Sequence, residues 1–231
     1  MKEQDIRCLI LAGGLGTRLY PLTINRAKSL LEYEDKPLLT HIVNKVPNDM
    51  AILIATNKRF EAEFLRWQEG IDRQVEICYE DVCNDEQKKG AVGALQFWVV
   101  NKHINQDLLV IAGDNYFGFK IVEFIAAYDG EKALVAVHDI GDRRKAAQFG
   151  IVELEGDKIV RFDEKPAKPE SALVATAIYI FPPRLFTILA HYCDKGQTDD
   201  LGGFISYLVN VDEVKAYVFN EPWFDIGSQL G

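Results

Sequence analysis

The stretch LILAGGLGTRLYPLTINRAKSLL, residues 9–31, decides how this chain is interpreted. Its apolar start ends abruptly, and glycines follow at positions 13, 14 and 16. An apolar run that stops at glycines is typical of a buried strand leading into a tight loop. Glycine lets the backbone turn sharply and lets N–H groups approach an anion closely. The stretch therefore predicts a strand followed by an anion-binding loop.

Positive charge is concentrated around this loop. From Ile6 to Leu31 the chain has no acidic residue, although its net charge is -9. The basic residues in this segment are Arg7, Arg18, Arg26 and Lys28. Because a salt-bridged or solvated face normally mixes both signs, we predict a site for a polyanion here. The alternative is a tight strand-to-loop turn with an incidental arginine.

The loop fits neither of the two commonest phosphate-binding motifs. A dinucleotide fingerprint, G-x-G-x-x-G, needs a third glycine where this chain has Leu19. A Walker loop needs a glycine immediately before its lysine, whereas Ala27 precedes Lys28. Pro21 also prevents a helix from starting directly after the glycines. We therefore expect the loop itself to hold the anion.

Apolar runs alternate with helical patterns along the 231 residues. Predicted strands lie at 6–12, 51–56, 74–79, 107–113, 133–139, 150–155, 158–164, 173–181 and 214–219. Predicted helices lie at 37–46, 58–69, 90–102, 119–129, 182–193 and 199–209. Several strands are apolar at nearly every position, which is typical of strands buried on both faces. The pattern predicts an α/β fold with a doubly wound, mostly parallel, Rossmann-like mixed sheet flanked by helices.

The pattern changes after residue 140. GIVELEGDKIVRF, residues 150–162, predicts a hairpin and therefore a small antiparallel subdomain. In open α/β sheets, ligands gather at the carboxyl ends of the strands. The glycine loop, GDN at 113–115 and FDEKP at 162–166 each follow or end a predicted strand. We therefore expect these three segments to share one rim of the sheet.

Composition excludes several classes of protein. A chain that is 48% hydrophobic and 26% charged is not expected to be disordered. Without a run of 18 apolar residues, no membrane span is predicted. The negative net charge argues against nucleic-acid and membrane partners. The four cysteines, at 8, 78, 83 and 193, lack zinc-site spacing, so we predict free thiols in a reducing cytoplasm.

The segment LAGGLGTRLYPLT, followed by Lys28, resembles the signature of the sugar-phosphate nucleotidyltransferases, the NDP-sugar pyrophosphorylases. The resemblance continues through KGAVGAL (89–95), VIAGDNYF (110–117), FGIVEL (149–154), FDEKP (162–166) and PWFDIGS (222–228). It implies a single nucleotidyltransferase domain over 1–231, with 1–140 mainly binding nucleotide and 141–231 mainly binding sugar. The pattern looks closest to glucose-1-phosphate thymidylyl- and uridylyltransferases.

The resemblance implies a reaction in which an NTP and a sugar 1-phosphate give an NDP-sugar and pyrophosphate, with Mg²⁺ as cofactor. It assigns catalysis to Arg18 and Lys28. Nucleotide binding falls to Leu11, Ala12, Gly13, Gly14, Gly16, Thr17, Arg18, Gly90 and Asp114. Sugar-phosphate binding falls to Gly150, Glu164, Lys165 and Ala175, and metal binding to Asp114 and Asp225.

Other interpretations stay open from the sequence. By itself, GDN at 113–115 is good turn chemistry, and Glu164-Lys165-Pro166 could be a charged strand end. A non-catalytic nucleotide-sensing or assembly subunit could use the same fold. A nicotinamide-dependent oxidoreductase with a divergent loop is the third hypothesis. The expected partners are small-molecule substrates, and a homo-oligomer is among the states that the resemblance allows.

The chain departs from the family pattern in two places. The family usually has proline or serine before the loop lysine, where this chain has Ala27. It often has N-x-G where this chain has Ala175 and Ala177, which removes a side-chain amide from the expected sugar pocket. The identity of the hexose therefore cannot be read from this segment.

Overall fold

The computed structural model describes residues 5–81 and 89–229, with the side chains of Arg18, Ser228 and Gln229 outside that description. Its strands are β1 (Ile6–Leu11), β2 (Glu32–Tyr33), β3 (Lys36–Pro37), β4 (Ile52–Asn57), β5 (Glu76–Glu80), β6 (Asp107–Ala112), β7 (Asn115–Phe117), β8 (Ala133–Asp139), β9 (Gly150–Glu155), β10 (Lys158–Glu164), β11 (Leu173–Phe181), β12 (Val214–Phe219) and β13 (Trp223–Asp225). Its α-helices are α1 (Leu38–Lys45), α2 (Glu61–Glu69), α3 (Gly90–Asn101), α4 (Ile121–Ala126), α5 (Arg143–Ala146), α6 (Phe186–Asp194), α7 (Leu201–Val211) and α8 (Ile226–Gln229).

The main sheet has the strand order β5-β4-β1-β6-β11-β8-β12-β10-β9. The strands β5, β4, β1 and β6 are parallel, and so are β8 and β12. The strand β11 lies antiparallel between β6 and β8, and β10 is antiparallel to both β12 and β9. The sheet is therefore mixed, as predicted. It is not clearly doubly wound, because β11 runs against both of its neighbours in the centre.

Helices cover both faces of the sheet. Along β1, Ile10 packs into the core on the side of α1, α2 and α4, whereas Leu9 packs into the core on the side of α3, α6 and α7. Both side chains are fully buried. Burial on both faces explains why β1 is apolar at nearly every position.

The nine predicted long strands and six predicted helices are all present, with ends that differ by a few residues. Short elements were missed, namely β2, β3, β7, β13, α5 and α8. The predicted hairpin is confirmed, because β9 and β10 pair antiparallel. Cys8, Cys78 and Cys193 are free thiols, and Cys83 lies outside the described residues. In the described part of the chain, no helix has the length and apolar character needed to span a bilayer.

Candidate active site

The glycine loop, defined here as residues 12–28, leaves the carboxyl end of β1 and is held from beneath by β4. Thr56 Oγ1 donates a hydrogen bond to the Ala12 carbonyl over 3.2 Å, and Asn57 Nδ2 donates to the Gly13 carbonyl over 2.9 Å. Thr56 and Asn57 are 0% and 1% exposed. These two buried polar side chains fix the first two peptide groups of the loop.

Their hydrogen bonds also orient the amides of the loop. In a planar trans peptide, the carbonyl and the N–H point in opposite directions. Since the carbonyls of Ala12 and Gly13 point toward β4, the N–H groups of Gly13 and Gly14 point away from it. Both glycines are exposed, and nothing lies within 4 Å of a Cβ built at Gly14. The loop can therefore present backbone donors to an anion.

The turn that follows depends on Gly16. Its φ is 63°, and its carbonyl accepts a 2.6 Å hydrogen bond from the hydroxyl of the buried Thr23. A Cβ at Gly16 would also lie 3.0 Å from the Thr23 side chain. A short 3-10 helix then spans Thr17–Leu19, so Thr17 and the backbone of Arg18 follow the glycines directly.

The basic residues of the segment do not act as one cluster. Arg7 forms a 3.0 Å ion pair with Glu76, and Arg26 forms a 3.1 Å ion pair with Glu32. The prediction that these cations jointly face a polyanion is therefore wrong for Arg7 and Arg26. Both carboxylates lie outside the acid-free segment, so a count of charges along that segment missed them.

The ammonium of Lys28 reaches the rim of the sheet. Its Nζ lies 2.7 Å from Asp114 Oδ2 and 3.2 and 3.3 Å from the two carboxylate oxygens of Asp225. In the sequence, Asp114 and Asp225 lie 86 and 197 positions after Lys28. The side chains of Lys28, Asp114 and Asp225 are only 16%, 32% and 25% exposed. Two predicted metal ligands and a predicted catalytic lysine thus meet at one point.

A two-stranded ribbon brings the two aspartates together. The strands β7 and β13 pair antiparallel, with Asn115 opposite Asp225. The Ile226 N–H also donates to the Asp114 carbonyl over 3.0 Å. A Cβ at Gly227 would lie 2.7 Å from Asp225 Oδ1 and 2.8 Å from Lys28 Nζ. Gly227 therefore leaves the space in which the ammonium and the carboxylate meet.

The electrostatics of this triad favour an additional cation. Burial and the neighbouring Asp114 carboxylate raise the pKa of Asp225, although Lys28 acts in the opposite direction. Burial disfavours the charged form of Lys28, but the two carboxylates outweigh it and the pKa of Lys28 is raised. With both carboxylates ionised, one ammonium leaves the triad with a net charge of -1.

The donor set fits Mg²⁺. Oxygens of Asp114 and Asp225 converge on a single ammonium, so they already surround a position that a cation occupies. Carboxylate oxygens are ligands that Mg²⁺ prefers, usually one or two per site together with phosphate and water. Within the described residues, no group of three or more His, Cys, Asp or Glu side chains is placed to hold a metal ion.

A second cluster, the Glu164 cluster, consists of Gly150, Phe162, Glu164, Lys165 and Gly202. Lys165 Nζ lies 2.6 Å from Glu164 Oε1, and Lys165 itself has a φ of 45°. A Cβ at Gly202, in the first turn of α7, would lie 1.8 Å from Glu164 Oε2. The carboxylate of Glu164 is therefore seated against the start of α7.

Gly150, which the resemblance assigns to sugar-phosphate binding, is surrounded by side chains of the protein itself. A Cβ there would lie 2.3 Å from the ring of Phe162 and 2.9 Å from Glu164 Oε2. The absence of a side chain at Gly150 thus makes room for the protein's own residues. Beneath them, burial together with the charges of Glu164 and Asp200 raises the pKa of Tyr179.

Gly90 and Ala175 are placed by packing contacts. Gly90 begins α3 with a φ of 72°, and a Cβ there would lie 2.1 Å from the Thr198 carbonyl. The Ala91 N–H also donates to the Asp199 carbonyl. Ala175 is 8% exposed in β11, two residues before Ala177, whose φ is 56°. The segment 198–199 therefore lies against the helix start that the sequence assigns to the nucleotide.

Sequence reasoning missed five residues that shape these clusters: Thr23, Thr56, Asn57, Gly202 and Gly227. A signal was available for Thr56 and Asn57, because two polar residues end an otherwise apolar strand. No local signal marks Gly202, since Glu164 comes from a distant segment, and the contact of Gly227 with Lys28 is equally remote in the sequence.

Comparisons with known proteins identify the family of this chain. The family described as "Nucleotidyl transferase" matches residues 7–229. The chain is 29% identical to the UTP–glucose-1-phosphate uridylyltransferase AglF of Haloferax volcanii, over 86% of this chain and 79% of that protein. It is 28% identical to the bifunctional protein GlmU of Methanocaldococcus jannaschii over 95% of this chain, but it spans only 50% of that protein.

A solved structure has the same fold. It is that of a Bacillus anthracis protein assigned as a glucose-1-phosphate thymidylyltransferase, with a TM-score of 0.81 and 26% sequence identity. The match covers 96% of this chain and 90% of that one.

Proposed function

This chain belongs to the nucleotidyl transferase family, and we propose that its site joins a nucleoside triphosphate to a sugar 1-phosphate, with release of pyrophosphate. The family and the enzyme class predicted from the sequence, a sugar-1-phosphate nucleotidyltransferase, are confirmed by the comparisons. The residue roles and substrates given below are our proposals. The names of the relatives support glucose 1-phosphate as the sugar phosphate and UTP or dTTP as the nucleotide.

The main obstacle to this reaction is electrostatic. An anionic sugar phosphate must approach the α-phosphorus of a polyanionic triphosphate. Two like charges about 4 Å apart repel by about 4 kcal/mol at an effective dielectric constant of about 20, and several such pairs act at once. A catalyst therefore gains most from fixed donors and cations around the phosphates. No general base is needed, because the attacking phosphate oxygen is already ionised.

The glycine loop would bind the triphosphate. Its exposed amides at Gly13 and Gly14 are oriented by Thr56 and Asn57, so they require no reorganisation when the anion arrives. Thr17 adds a hydroxyl and Arg18 adds a planar cation suited to phosphate oxygens. Leu11, Ala12 and Gly16 shape the backbone that carries these groups.

Lys28 would contact phosphate oxygens near the reacting phosphorus, and Asp114 and Asp225 would hold Mg²⁺. Bound there, the ion supplies charge neutralisation and aligns phosphate oxygens. The convergence of these three residues within 3.3 Å is the single observation that carries the proposal. This part-buried arrangement brings together segments that are 197 positions apart and places two carboxylates against one ammonium.

The Glu164 cluster would hold the acceptor. Glu164 can accept hydrogen bonds from sugar hydroxyls, and Lys165 can pair with the sugar phosphate. The two side chains are already within 2.6 Å of each other, which fixes the carboxylate oxygen relative to the ammonium. Gly150 and Ala175 would then contribute backbone and a small side chain to the wall of the pocket.

Pyrophosphate release tests this function. Four NTPs are combined with several hexose 1-phosphates, in Mg²⁺ and in excess EDTA, for the wild type and for Asp225→Asn. We expect turnover with one preferred pair, loss of turnover in EDTA, and loss in the variant. Full activity in EDTA would eliminate the metal roles. Nucleotide binding without turnover for any pair would instead indicate a sensing or assembly subunit.

A further inference from the structure

The helix α2 holds the segment that carries Lys28. Glu63 Oε2 accepts a 2.8 Å hydrogen bond from the backbone N–H of Ala27, which lies 36 positions earlier. Near the start of the same helix, Arg59 Nη2 donates to the Ile24 carbonyl over 2.6 Å. One side chain in α2 and one in the turn just before it thus hold the same loop, and the bond of Glu63 ends at the residue before the lysine.

Ala27 needs this partner. It is 0% exposed, and a buried N–H without an acceptor is costly. Ala27 precedes the 3-10 turn Lys28–Leu30 with φ -65° and ψ 136°, and its carbonyl accepts the N–H of Leu30. The carboxylate of Glu63 therefore restrains the Arg26–Ala27 peptide, which directly precedes the turn that carries Lys28. A bond to a charged acceptor is stronger than a neutral one.

We propose that Glu63 is a positioning residue for catalysis, because it fixes the direction in which Lys28 leaves the backbone. This inference rests on the proposed function, in which Lys28 contacts the phosphates. A lysine side chain is long and flexible, so its reach is reproducible only if its Cα and first turn are fixed. Displacements of about 1 Å in such groups cost large factors in rate.

The first test compares three substitutions on α2. Glu63→Leu removes the acceptor, Glu63→Gln keeps an acceptor oxygen, and Glu69→Leu makes the same change at an exposed position of the same helix. An open groove of about 330 Å³ borders Glu63, Arg66 and Trp67, so the leucine would replace a side chain beside open space. The readouts are kcat and KM for both substrates, the melting temperature, and hydrogen exchange at the Ala27 amide.

Glu63→Leu is expected to lower kcat about tenfold while KM changes less than about twofold, since the loss falls on Lys28 rather than on the binding loop. Exchange at the Ala27 amide should accelerate. Glu63→Gln should retain kcat within about threefold, and Glu69→Leu should match the wild type. Unchanged kcat in Glu63→Leu overturns the inference, and so does an equal loss in Glu63→Gln.

A second test replaces the restraint. Proline fixes φ near the -65° of Ala27 and has no N–H, so Ala27→Pro holds the backbone without an acceptor. In the double variant Ala27→Pro/Glu63→Leu, we expect kcat to return to within about threefold of the wild type. If the double variant folds and the two losses multiply, the positioning role is wrong. If Ala27→Pro does not fold, the comparison of Glu63→Leu with Glu63→Gln still tests the positioning role.

The two proposals fail in different ways. If the wild type releases no pyrophosphate with any substrate pair, the proposed function fails, and the exchange rate at Ala27 still reports whether Glu63 holds the loop. If the wild type is active and Glu63→Leu is equally active, only the positioning role is lost.

Discussion

In the glycine loop Gly14 faces open space, whereas the glycines of the Glu164 cluster lie beneath other side chains. A Cβ at Gly14 would meet nothing within 4 Å. A Cβ at Gly202 would lie 1.8 Å from Glu164 Oε2, and one at Gly150 would lie 2.3 Å from Phe162. The same residue type therefore exposes backbone in one region and permits close packing in the other.

The difference shows how each region is made rigid. The glycine loop is stiffened by buried polar side chains that donate to its carbonyls, Thr56 and Asn57 from β4 and Thr23 from the loop itself. The Glu164 cluster is stiffened from within, by contact between its own members. Substitutions on the exposed surface of the loop should therefore change turnover with little change in stability. Substitutions in the Glu164 cluster should change both.

The largest effect on turnover is expected from Lys28→Met. The substitution keeps most of the side-chain length and removes the charge, so the transition state loses one fixed cation. We expect kcat to fall about 10³-fold, at the upper end of what a single electrostatic contact supplies. Pyrophosphate release in saturating substrates measures the loss.

The matched control is Lys120→Met, at a lysine whose side chain is 75% exposed beside Glu123. This variant should have wild-type turnover. Because Lys28→Met leaves Asp114 and Asp225 without their ammonium, Mg²⁺ should raise its melting temperature more than that of the wild type. A Lys28→Met enzyme with turnover within tenfold of the wild type would contradict the placement of catalysis at this triad.

The second prediction compares the two regions directly, by replacing glycine with alanine once in the Glu164 cluster and once in the glycine loop. Gly202→Ala forces the Glu164 carboxylate away from α7, and we expect a loss of about 2–3 kcal/mol in the free energy of unfolding. The KM for the sugar 1-phosphate should rise about tenfold or more. Gly14→Ala should leave the free energy of unfolding within about 0.5 kcal/mol of the wild type.

Urea unfolding and steady-state kinetics on both variants measure these differences. Gly14→Ala should raise the KM for the nucleotide, because the methyl group projects from the surface that faces the phosphates. If the two variants lost equal stability, the distinction between an exposed and a packed glycine would be wrong.

The sequence was sufficient for elements that are long and locally patterned. The strand β1 could be predicted because its apolar run and its glycines are adjacent. The direction of β11 could not, since a strand buried on both faces has the same apolar pattern whether it runs parallel or antiparallel. For that reason the prediction is confirmed as a mixed sheet flanked by helices, but not clearly as a doubly wound one.

Short elements that depend on distant partners could not be predicted either. The ribbon of β7 and β13 has three residues per strand and joins segments about a hundred residues apart. Gly113 and Asp114 form the turn that their residue types predict, but the strand that begins at Asn115 was not predicted, because its pairing partner is remote. Likewise, the ion pairs of Arg7 and Arg26 are formed with residues outside the acid-free segment. The convergence of Lys28 with Asp114 and Asp225 was expected only through the family resemblance.

A smaller effect is expected from Asn57→Ala, which removes the support beneath the loop without touching its surface. The Gly13 carbonyl loses its donor, so the Gly14 amide is no longer held in one direction. We expect kcat/KM for the nucleotide to fall about tenfold and the free energy of unfolding to fall by about 1–2 kcal/mol. The control is Asn101→Ala, because Asn101 makes a 2.8 Å side-chain bond to the Phe97 carbonyl within α3. An equal loss of kcat/KM in both variants would contradict the role of Asn57.

The smallest effect, and the one with the opposite sign, is expected from Ala177→Gly in β11. Ala177 has a φ of 56°, in the region that costs an L-residue about 1–2 kcal/mol. Glycine removes that cost but adds about 0.5–1 kcal/mol of conformational freedom in the unfolded chain, so the net gain in the free energy of unfolding is about 0.5 kcal/mol. The control is Ala136→Gly in the adjacent strand β8. Ala136 is buried and does not have a positive φ, so glycine relieves no strain there and should destabilise the protein. Urea unfolding of both variants decides, because equal destabilisation at the two positions would mean that β11 carries no backbone strain at Ala177.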